Sequence, residues 1–141
     1  MANDGGDFAR SMSIATSGLR AQAGRMRVIS ENIANADSTA STASGEPYRR
    51  KVPTFSSELD RTLDAKVVAM GKIRPDQSAF RVKHEPGNPA ADAAGNVKYP
   101  NVNPLIEMTD MRDAQRSYEA NLNIIGATRR MIQRTLDILK A

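Results

Sequence analysis

Apolar side chains recur every seven residues near the start of the chain, between Phe8 and Ala34. Two lines of positions carry the repeat, one made of Met12, Leu19, Met26 and Ile33 and the other of Phe8, Ala15, Gln22 and Ile29. Gln22 is the only polar member. Two such lines, carried for almost four heptads, are the a and d positions of a helix that packs along a partner helix. The pattern therefore predicts a long N-terminal helix with one apolar seam.

A second, more regular repeat runs from Leu105 to Leu139. One line is apolar throughout and the companion line is apolar in three of five places: Met111, Tyr118, Ile125, Ile132 and Leu139, with Met108, Gln115, Leu122, Arg129 and Leu136. Asn103 followed by Pro104 is a typical helix start, an N-cap residue and then proline in the first turn. A seam requires a partner helix, but it leaves open whether the same chain or another supplies that helix.

All seven prolines lie between residues 47 and 104, and the two flanks are free of proline. Because proline breaks helix interiors, the middle must be built differently. Residues 37–46, DSTASTASGE, have the composition of a flexible linker. Short extended segments follow at 48–55, 66–73, 79–85 and 96–100, with turns between them. We therefore predict an α+β chain in which long N- and C-terminal helices pair as an antiparallel coiled-coil-like hairpin, with a small β-rich or irregular middle insert. The predicted boundaries are 1–36, 37–46, 47–104 and 105–141.

Composition excludes several classes of function. The chain has no cysteine, so disulfides and thiolate metal sites are ruled out. The net charge of +4 is spread along the chain without a basic stripe, and we expect no nucleic acid partner. No apolar run is long enough to cross a membrane, and the N-terminus lacks the pattern of a cleavable signal peptide. We therefore expect neither direct membrane insertion nor signal cleavage.

Residues suited to catalysis are scarce. His84 is the only histidine and lies in a charged context, KHEPGNP, where a surface histidine is the commoner case. Asp110 and Asp113 share a helix face with nearby arginines and are better explained as solvated ion pairs. The sequence has no phosphate-binding loop, dinucleotide motif or calcium loop. We expect no enzyme activity, no catalytic residue, no cofactor and no metal site.

Three stretches together point to a known family: SGLRAQAGRMRVISENIANADST at 17–39, PYRRKVPTF at 47–55 and the run from His84 to Ile125. The Asn-Ile-Ala-Asn-Ala box at 32–36 and the Ser-Tyr-Glu-Ala-Asn run at 117–121 resemble the terminal signatures of bacterial flagellar rod, hook and hook-associated proteins. The PYR element at 47–49 and the pattern from EPGNP to PNVN at 85–103 resemble the proximal-rod members in particular. This resemblance covers nearly the whole chain.

The resemblance implies a structural protein of the flagellar basal body. Family members are exported unfolded by the flagellar type III export apparatus, without signal cleavage. They assemble helically with copies of themselves and with other rod proteins into a hollow, periplasm-spanning rod that transmits torque and lets exported subunits pass. Their terminal helices pair and line the inner tube. The residues expected to serve assembly and helix packing are Met12, Leu19, Met26, Ile29, Ile33, Met108, Met111, Tyr118, Leu122, Ile125, Ile132, Leu136 and Leu139. The family-motif residues are Asn32, Asn35, Tyr48, Arg49, Pro100, Asn101 and Asn121.

The stretch NIANADST, from Asn32 to Thr39, then marks the exit from the inner-tube helix. We expect Asn35 to take the left-handed conformation of a C-terminal cap, and Asn32 to satisfy backbone groups at the exit. Plain helix capping would explain Asn35 equally well. The alternative function is a cytoplasmic helical-hairpin adaptor or export chaperone whose seam binds partner helices.

Overall fold

Two long helices flank the middle of the chain in the structure, a computed structural model that describes residues 4–140. Helix α1 spans Asp4–Ala34 and helix α2 spans Pro104–Lys140. The predicted α+β class is confirmed, with two terminal helices that pack against each other and a small middle region that contains strands. Residues 1–3 and 141, which the predicted terminal segments include, lie outside the described residues.

Helix α2 begins where the Asn103-Pro104 pair predicts it. Asn103 Oδ1 accepts a hydrogen bond from the Leu105 N–H at 3.1 Å, and the Asn103 carbonyl accepts one from the Glu107 N–H at 3.1 Å. Asn103 is therefore the N-cap residue. Pro104 occupies the first helical position, where a missing N–H costs no hydrogen bond.

Six short strands form three antiparallel pairs within the described residues. The pairs are β1 (Lys51–Val52) with β4 (Arg74–Pro75), β2 (Phe55–Asp60) with β3 (Ala65–Met70), and β5 (Arg81–His84) with β6 (Asn96–Tyr99). The β2–β3 hairpin keeps an unbroken register from Phe55 opposite Met70 to Asp60 opposite Ala65. In its turn, Asp64 has a φ of 46° and is the one non-glycine residue at positive φ within residues 4–140.

The chain divides into two compact units. Unit 1 comprises the described residues of Met1–Met26, Thr54–Lys72 and Asp113–Ala141, and unit 2 comprises Arg27–Pro53 and Ile73–Arg112. Each unit therefore contains part of α1, part of α2 and strands from the middle of the chain. The predicted boundaries at residues 36, 46 and 104 divide the chain differently and stay predictions.

Small residues allow close packing in unit 1. A Cβ added to Gly18 of α1 would lie 2.8 Å from the Nδ2 atom of Asn121 on α2. On another side of α1, the Ser17 hydroxyl accepts a hydrogen bond from the N–H of Val68 in β3, at 3.1 Å. The buried residues of unit 1 include Ala15, Ala21, Ala65, Ala114 and Thr128. Because these side chains are small, the backbones can approach closely.

Unit 2 has a small apolar core beside the β5–β6 hairpin. Ala90, Val97 and Tyr99 form a buried cluster, against which Ala40 and Ala91 pack. The contact of Ala40 anchors part of the Ser/Thr/Ala-rich segment that the composition predicts to be a flexible linker. Val28, Ile29 and Val102 are also buried in this unit.

Candidate functional site

Asn32, in the last turns of α1, uses its whole hydrogen-bonding capacity inside unit 2. The side chain is 1% exposed. Its Oδ1 atom accepts hydrogen bonds from the Tyr48 hydroxyl and from the Lys51 N–H, both at 2.9 Å. Its Nδ2 group donates to the Lys51 carbonyl at 2.8 Å and to Glu107 Oε2 at 3.0 Å. An asparagine amide has two acceptor positions and two donors, so the side chain is fully satisfied and joins α1, β1 and α2.

Glu107 is the buried acid at the centre of this network. It is 1% exposed, and its second carboxylate oxygen accepts a hydrogen bond from Arg50 Nε at 2.6 Å. Arg50 also lies 3.5 Å from a carboxylate oxygen of Asp76 and 3.6 Å from one of Asp110. Burial acts to lower the pKa of Arg50, but the hydrogen bond and charge of Glu107, with the two aspartates, raise it overall. The buried carboxylate is thus paired with a cation that stays charged.

Tyr48 completes the network as a neutral donor. Burial raises the pKa of its phenol to about 12, with further contributions from the charges of Glu31 and Glu107. The hydroxyl therefore keeps its proton at neutral pH and can donate it to Asn32. Lys51, which follows two residues after Arg49, forms an ion pair with Glu31 beside this site.

Arg49 and Asn101 hold the segment after β4. Arg49 Nη1 donates to the Asp76 carbonyl at 3.1 Å and to the Ser78 carbonyl at 3.3 Å. Asn101 Nδ2 donates to the same two carbonyls, at 3.0 and 3.2 Å, while its Oδ1 accepts the Arg50 N–H at 2.8 Å. The Arg49 guanidinium also stacks over the Phe80 ring at 4.2 Å. These two motif residues therefore fix the backbone of 76–78 against β1.

Of the remaining motif residues, Asn35 differs from its prediction. Its backbone is not left-handed, because Asp64 is the one non-glycine residue at positive φ among residues 4–140. Instead, the Asn35 side chain donates to the Glu31 carbonyl at 2.8 Å, and its N–H donates to the same carbonyl at 3.1 Å. Helix α1 therefore ends by side-chain capping of its own last turn, and the left-handed prediction is wrong. Pro100 is buried, and its carbonyl accepts Arg81 Nε at 3.0 Å.

Asn32, Tyr48, Arg49 and Asn101 thus lie in one network in unit 2, whereas Asn121 lies in unit 1. On α2, Asn121 donates to the Ser117 carbonyl at 2.9 Å and lies directly against Gly18 of α1.

The predicted seam residues differ in exposure. Ile29 is buried. Half-buried members are Met12, Leu19, Met26, Ile33, Met111, Tyr118, Ile125 and Ile132. Exposed members are Met108, Leu122, Leu136 and Leu139. The Oε1 atom of Gln22, the polar seam residue, is buried without a hydrogen-bond partner among the described residues. The role of these residues in assembly stays a prediction.

Glu107, Arg50 and Asp76 belong to the site, although the sequence motifs predict none of them. Glu107 lies in the first turn of α2, where any carboxylate complements the helix dipole, so its position alone does not distinguish it. One signal was available, since Glu107 interrupts an otherwise apolar run, Leu105-Ile106-Glu107-Met108. In the structure this pattern is inverted, because Glu107 is buried while Leu105, Ile106 and Met108 are exposed.

The described residues offer little to hold a metal ion. Among residues 4–140, no group of three or more His, Cys, Asp and Glu side chains is placed for that purpose. In the same part of the chain, no helix is long and apolar enough to cross a membrane. The hydrogen bonds of Asn32 and the Arg50–Glu107 ion pair make the site a joint between α1, β1 and α2.

Comparison with known proteins gives consistent matches at both ends of the chain. The family "Flagella basal body rod protein" matches residues 12–40, and "Flagellar basal body rod FlgEFG protein C-terminal" matches residues 93–138. The chain is 54% identical to the flagellar basal-body rod protein FlgC of Agrobacterium fabrum, over 91% of this chain and 92% of that protein. It is 40% identical to FlgC of Bacillus subtilis, over 92% and 97% of the two chains. FlgC of Salmonella typhimurium is 38% identical, over 89% and 92%.

Proposed function

The chain belongs to the FlgC family of flagellar basal-body rod proteins, and we propose from this premise that it works as a structural subunit of the basal-body rod. The observation that carries the function is that FlgC proteins match the chain over nearly its whole length. The resemblance found in the sequence motifs is thereby confirmed. The alternative of a cytoplasmic adaptor finds no support in these relatives.

The chain assembles with other components of the rod in the basal body. In more detail, we propose that it joins copies of itself and neighbouring rod subunits in a helical, hollow shaft that crosses the periplasm. The flagellar type III apparatus exports it without cleavage of a signal peptide. The shaft transmits torque and leaves a channel for later subunits.

Exposed apolar side chains on α2 support this proposal. The C-terminal half of the helix leaves six large apolar residues exposed in the single chain: Leu122, Ile124, Met131, Leu136, Ile138 and Leu139. Ile124, Met131 and Ile138 are spaced by seven residues and therefore share one face of α2. Clusters of this kind mark protein interaction surfaces in soluble chains. We propose that neighbouring rod subunits cover them on assembly.

The buried network in unit 2 supports a second part of the proposal. A shaft that transmits torque needs each subunit to keep its helices and its middle region in fixed positions. Asn32, Glu107 and Arg50 join α1, β1 and α2 through hydrogen bonds of 2.6–3.0 Å. We propose that this joint stiffens the subunit.

Replacement of a seam residue by an acid tests the assembly proposal. In cells that lack the native chain, Ile132→Asp or Ile125→Asp should abolish both rod incorporation and swimming, because a charge would enter an apolar contact. Lys140→Ala changes an exposed side chain on the same helix and should leave both intact. Circular dichroism of each purified variant shows whether the helices persist. Normal swimming of folded Ile132→Asp cells would contradict the proposal.

A further inference from the structure

Within residues 4–140, the outer edge of β2 in the β2–β3 hairpin pairs with no other strand. Two hydrogen bonds define which backbone groups point outward. The Gly71 N–H donates to the Thr54 carbonyl at 2.7 Å, whereas the Val68 N–H turns away from β2 and donates to Ser17 Oγ at 3.1 Å. In an antiparallel ladder, bonded and non-bonded pairs alternate. Ser57 opposite Val68 is therefore a non-bonded pair, and the N–H and C=O groups of Phe55, Ser57 and Leu59 point to the free edge of β2.

This edge lacks most of the devices that protect exposed strand edges, although it carries the charges of Glu58 and Asp60. Proteins protect exposed strand edges with proline, lysine, bulges or covering segments. Strand β2 (FSSELD) has neither proline nor lysine, and its register to β3 is unbroken over six residues. Its side chains are mostly exposed, with Leu59 at 57%. The unpaired row of donors and acceptors requires an extended strand, because a helix has no free backbone groups along its side.

Strand β5 is a second exposed edge, in unit 2. The Glu85 N–H donates to the Gly95 carbonyl at 2.8 Å. Because bonded and non-bonded pairs alternate, Lys83 and Arg81 form the hydrogen-bonded pairs with β6. The backbone groups of Val82 and His84 therefore point away from β6. All four residues of β5 are exposed, with Val82 at 60%. The following Pro86 has no N–H and would end a ladder at that side.

The two edges are complementary in charge as well as in hydrogen bonding. Strand β2 carries Glu58 and Asp60, whereas β5 carries Arg81 and Lys83. If β2 pairs antiparallel with β5, one register sets Leu59 opposite Val82 and Ser57 opposite His84. In that register, the outward-pointing backbone groups of the two strands can form hydrogen bonds with each other. The same register sets Glu58 opposite Lys83 and Asp60 opposite Arg81. Opposite charges directly across a strand pair stabilise it.

Existing contacts leave the Glu58–Lys83 pair available. Glu58 is exposed and takes part in no ion pair among residues 4–140. Lys83 lies over the Tyr99 ring at 4.4 Å, with its side chain still exposed. Arg81 is already engaged by the carbonyls of Ala36 and Pro100 and lies 3.6 Å from Asp37, and the Asp60 carboxylate accepts the Thr62 N–H at 2.9 Å. Glu58 and Lys83 are therefore the better residues for a test.

We propose that β2 of one copy of this chain pairs antiparallel with β5 of a second copy, in the register that sets Glu58 opposite Lys83. The contact joins two different surfaces, so it is head-to-tail. Head-to-tail contacts build rings or open helices, whereas two β2 edges paired about a two-fold axis would close a dimer. This inference rests on the proposed function, because it supplies one of the contacts between copies in the rod.

Cysteine cross-linking tests the register. The chain has no native cysteine, so Glu58→Cys combined with Lys83→Cys introduces two defined thiols. Residues in a non-bonded antiparallel pair have Cα atoms about 4.5 Å apart, within the range of a disulfide. Basal bodies from cells that carry only this double variant are washed, treated with a mild oxidant and separated without reducing agent. We expect the monomer band to disappear and bands of dimers and higher multimers to appear. Reducing agent should restore the monomer band.

The controls separate this inference from the proposed function. Glu58→Cys combined with Val82→Cys places the thiols on opposite faces of the sheet and should give monomer only. A monomer band alone from the Glu58/Lys83 variant, with the chain present in the basal bodies, would overturn the strand pairing and leave the rod function standing. A dimer from Glu58→Cys alone would show β2 pairing with itself and would also overturn it. Absence of the unmodified chain from basal bodies would instead refute the proposed function.

A charge exchange checks the same contact without new thiols and covers the case in which the cysteine variant is not incorporated. Glu58→Lys and Lys83→Glu each create a like-charge pair and should each reduce swimming. The combination of both restores opposite charges and should recover it. Recovery by the combination supports the pairing, and a combination that swims no better than either single variant contradicts it.

Discussion

At the scale of single residues, Asn32 shows how one side chain can hold three segments together. Its four hydrogen bonds reach the Tyr48 hydroxyl, both backbone groups of Lys51 and the Glu107 carboxylate. A hydrophobic residue of similar size would leave the Lys51 backbone and Glu107 with unpaired polar groups in a buried place. Such groups cost about 1–3 kcal/mol each.

Asn32→Asp tests this account with almost no change in shape. The new carboxylate oxygen would face the Lys51 carbonyl and the Glu107 carboxylate, both of which are acceptors. We expect the free energy of unfolding to fall by about 3 kcal/mol or more, because the new oxygen is buried against two acceptors and has no donor. Urea unfolding followed by circular dichroism measures it. Asn123→Asp, the same exchange at an exposed position of α2, should be close to neutral, and an equal loss in both variants would contradict the account.

Asp76 gives the fold a dependence on pH. Its pKa is lowered, first by the Ser78 N–H at 2.9 Å, then by the Ser78 hydroxyl and the Arg50 charge. A carboxyl whose pKa is lower in the folded state than in the unfolded state stabilises the fold at pH values above its unfolded pKa of about 4. This stabilisation is lost as the pH falls towards the pKa of the folded state. The urea midpoint should therefore decline below about pH 4. Asp76→Asn should reduce this decline, whereas Asp113→Asn, at an exposed position, should not; an unchanged decline in Asp76→Asn would contradict the assignment.

At the scale of elements, close approach of α1 and α2 depends on glycine at one position. A Cβ at Gly18 would lie 2.8 Å from Asn121, whereas a Cβ at Gly126 would meet only Arg130 Nη1, at 3.5 Å. Alanine is favoured over glycine in helix interiors by about 1 kcal/mol. Helix propensity alone therefore predicts that both Gly→Ala changes stabilise the protein.

Packing reverses that prediction at Gly18. We expect Gly18→Ala to lower the free energy of unfolding by about 1 kcal/mol or more, since overpacking forces the helices apart. Gly126→Ala should raise it by up to about 1 kcal/mol. Adding Asn121→Ala to Gly18→Ala should recover part of the loss. Thermal or urea unfolding of the unchanged chain and the three variants measures these differences in stability. Stabilisation by Gly18→Ala alone would show that the helices do not approach as described.

The elements that could be predicted from the sequence are those with local signals. Both helices follow from seven-residue repeats and from proline-free flanks, and the start of α2 follows from Asn103-Pro104. Strand β2 was predicted only at Phe55, because its side chains are exposed on both faces and leave no alternating apolar pattern. The site was predicted in part. Tyr48, Arg49 and Asn101 came from motif resemblance, whereas Glu107 and Asp76 meet Arg50 only through contacts between segments far apart in the chain.

At the scale of the whole molecule, the distribution of apolar side chains is that of a subunit that packs against other chains. Its buried residues are largely small, and several of its largest apolar side chains are exposed. Membership in the FlgC family explains this distribution, because a rod subunit meets neighbours along its length. We propose that the seams and the strand edges serve contact between subunits, and that the buried joint serves stiffness within one.

Mass spectrometry of detergent-washed flagellar basal bodies from the source cells tests the central claim most directly. A structural rod subunit should be present there as the full-length polypeptide and should remain after washing. Detection of the chain only in the soluble cytoplasm of flagellated cells would contradict the account.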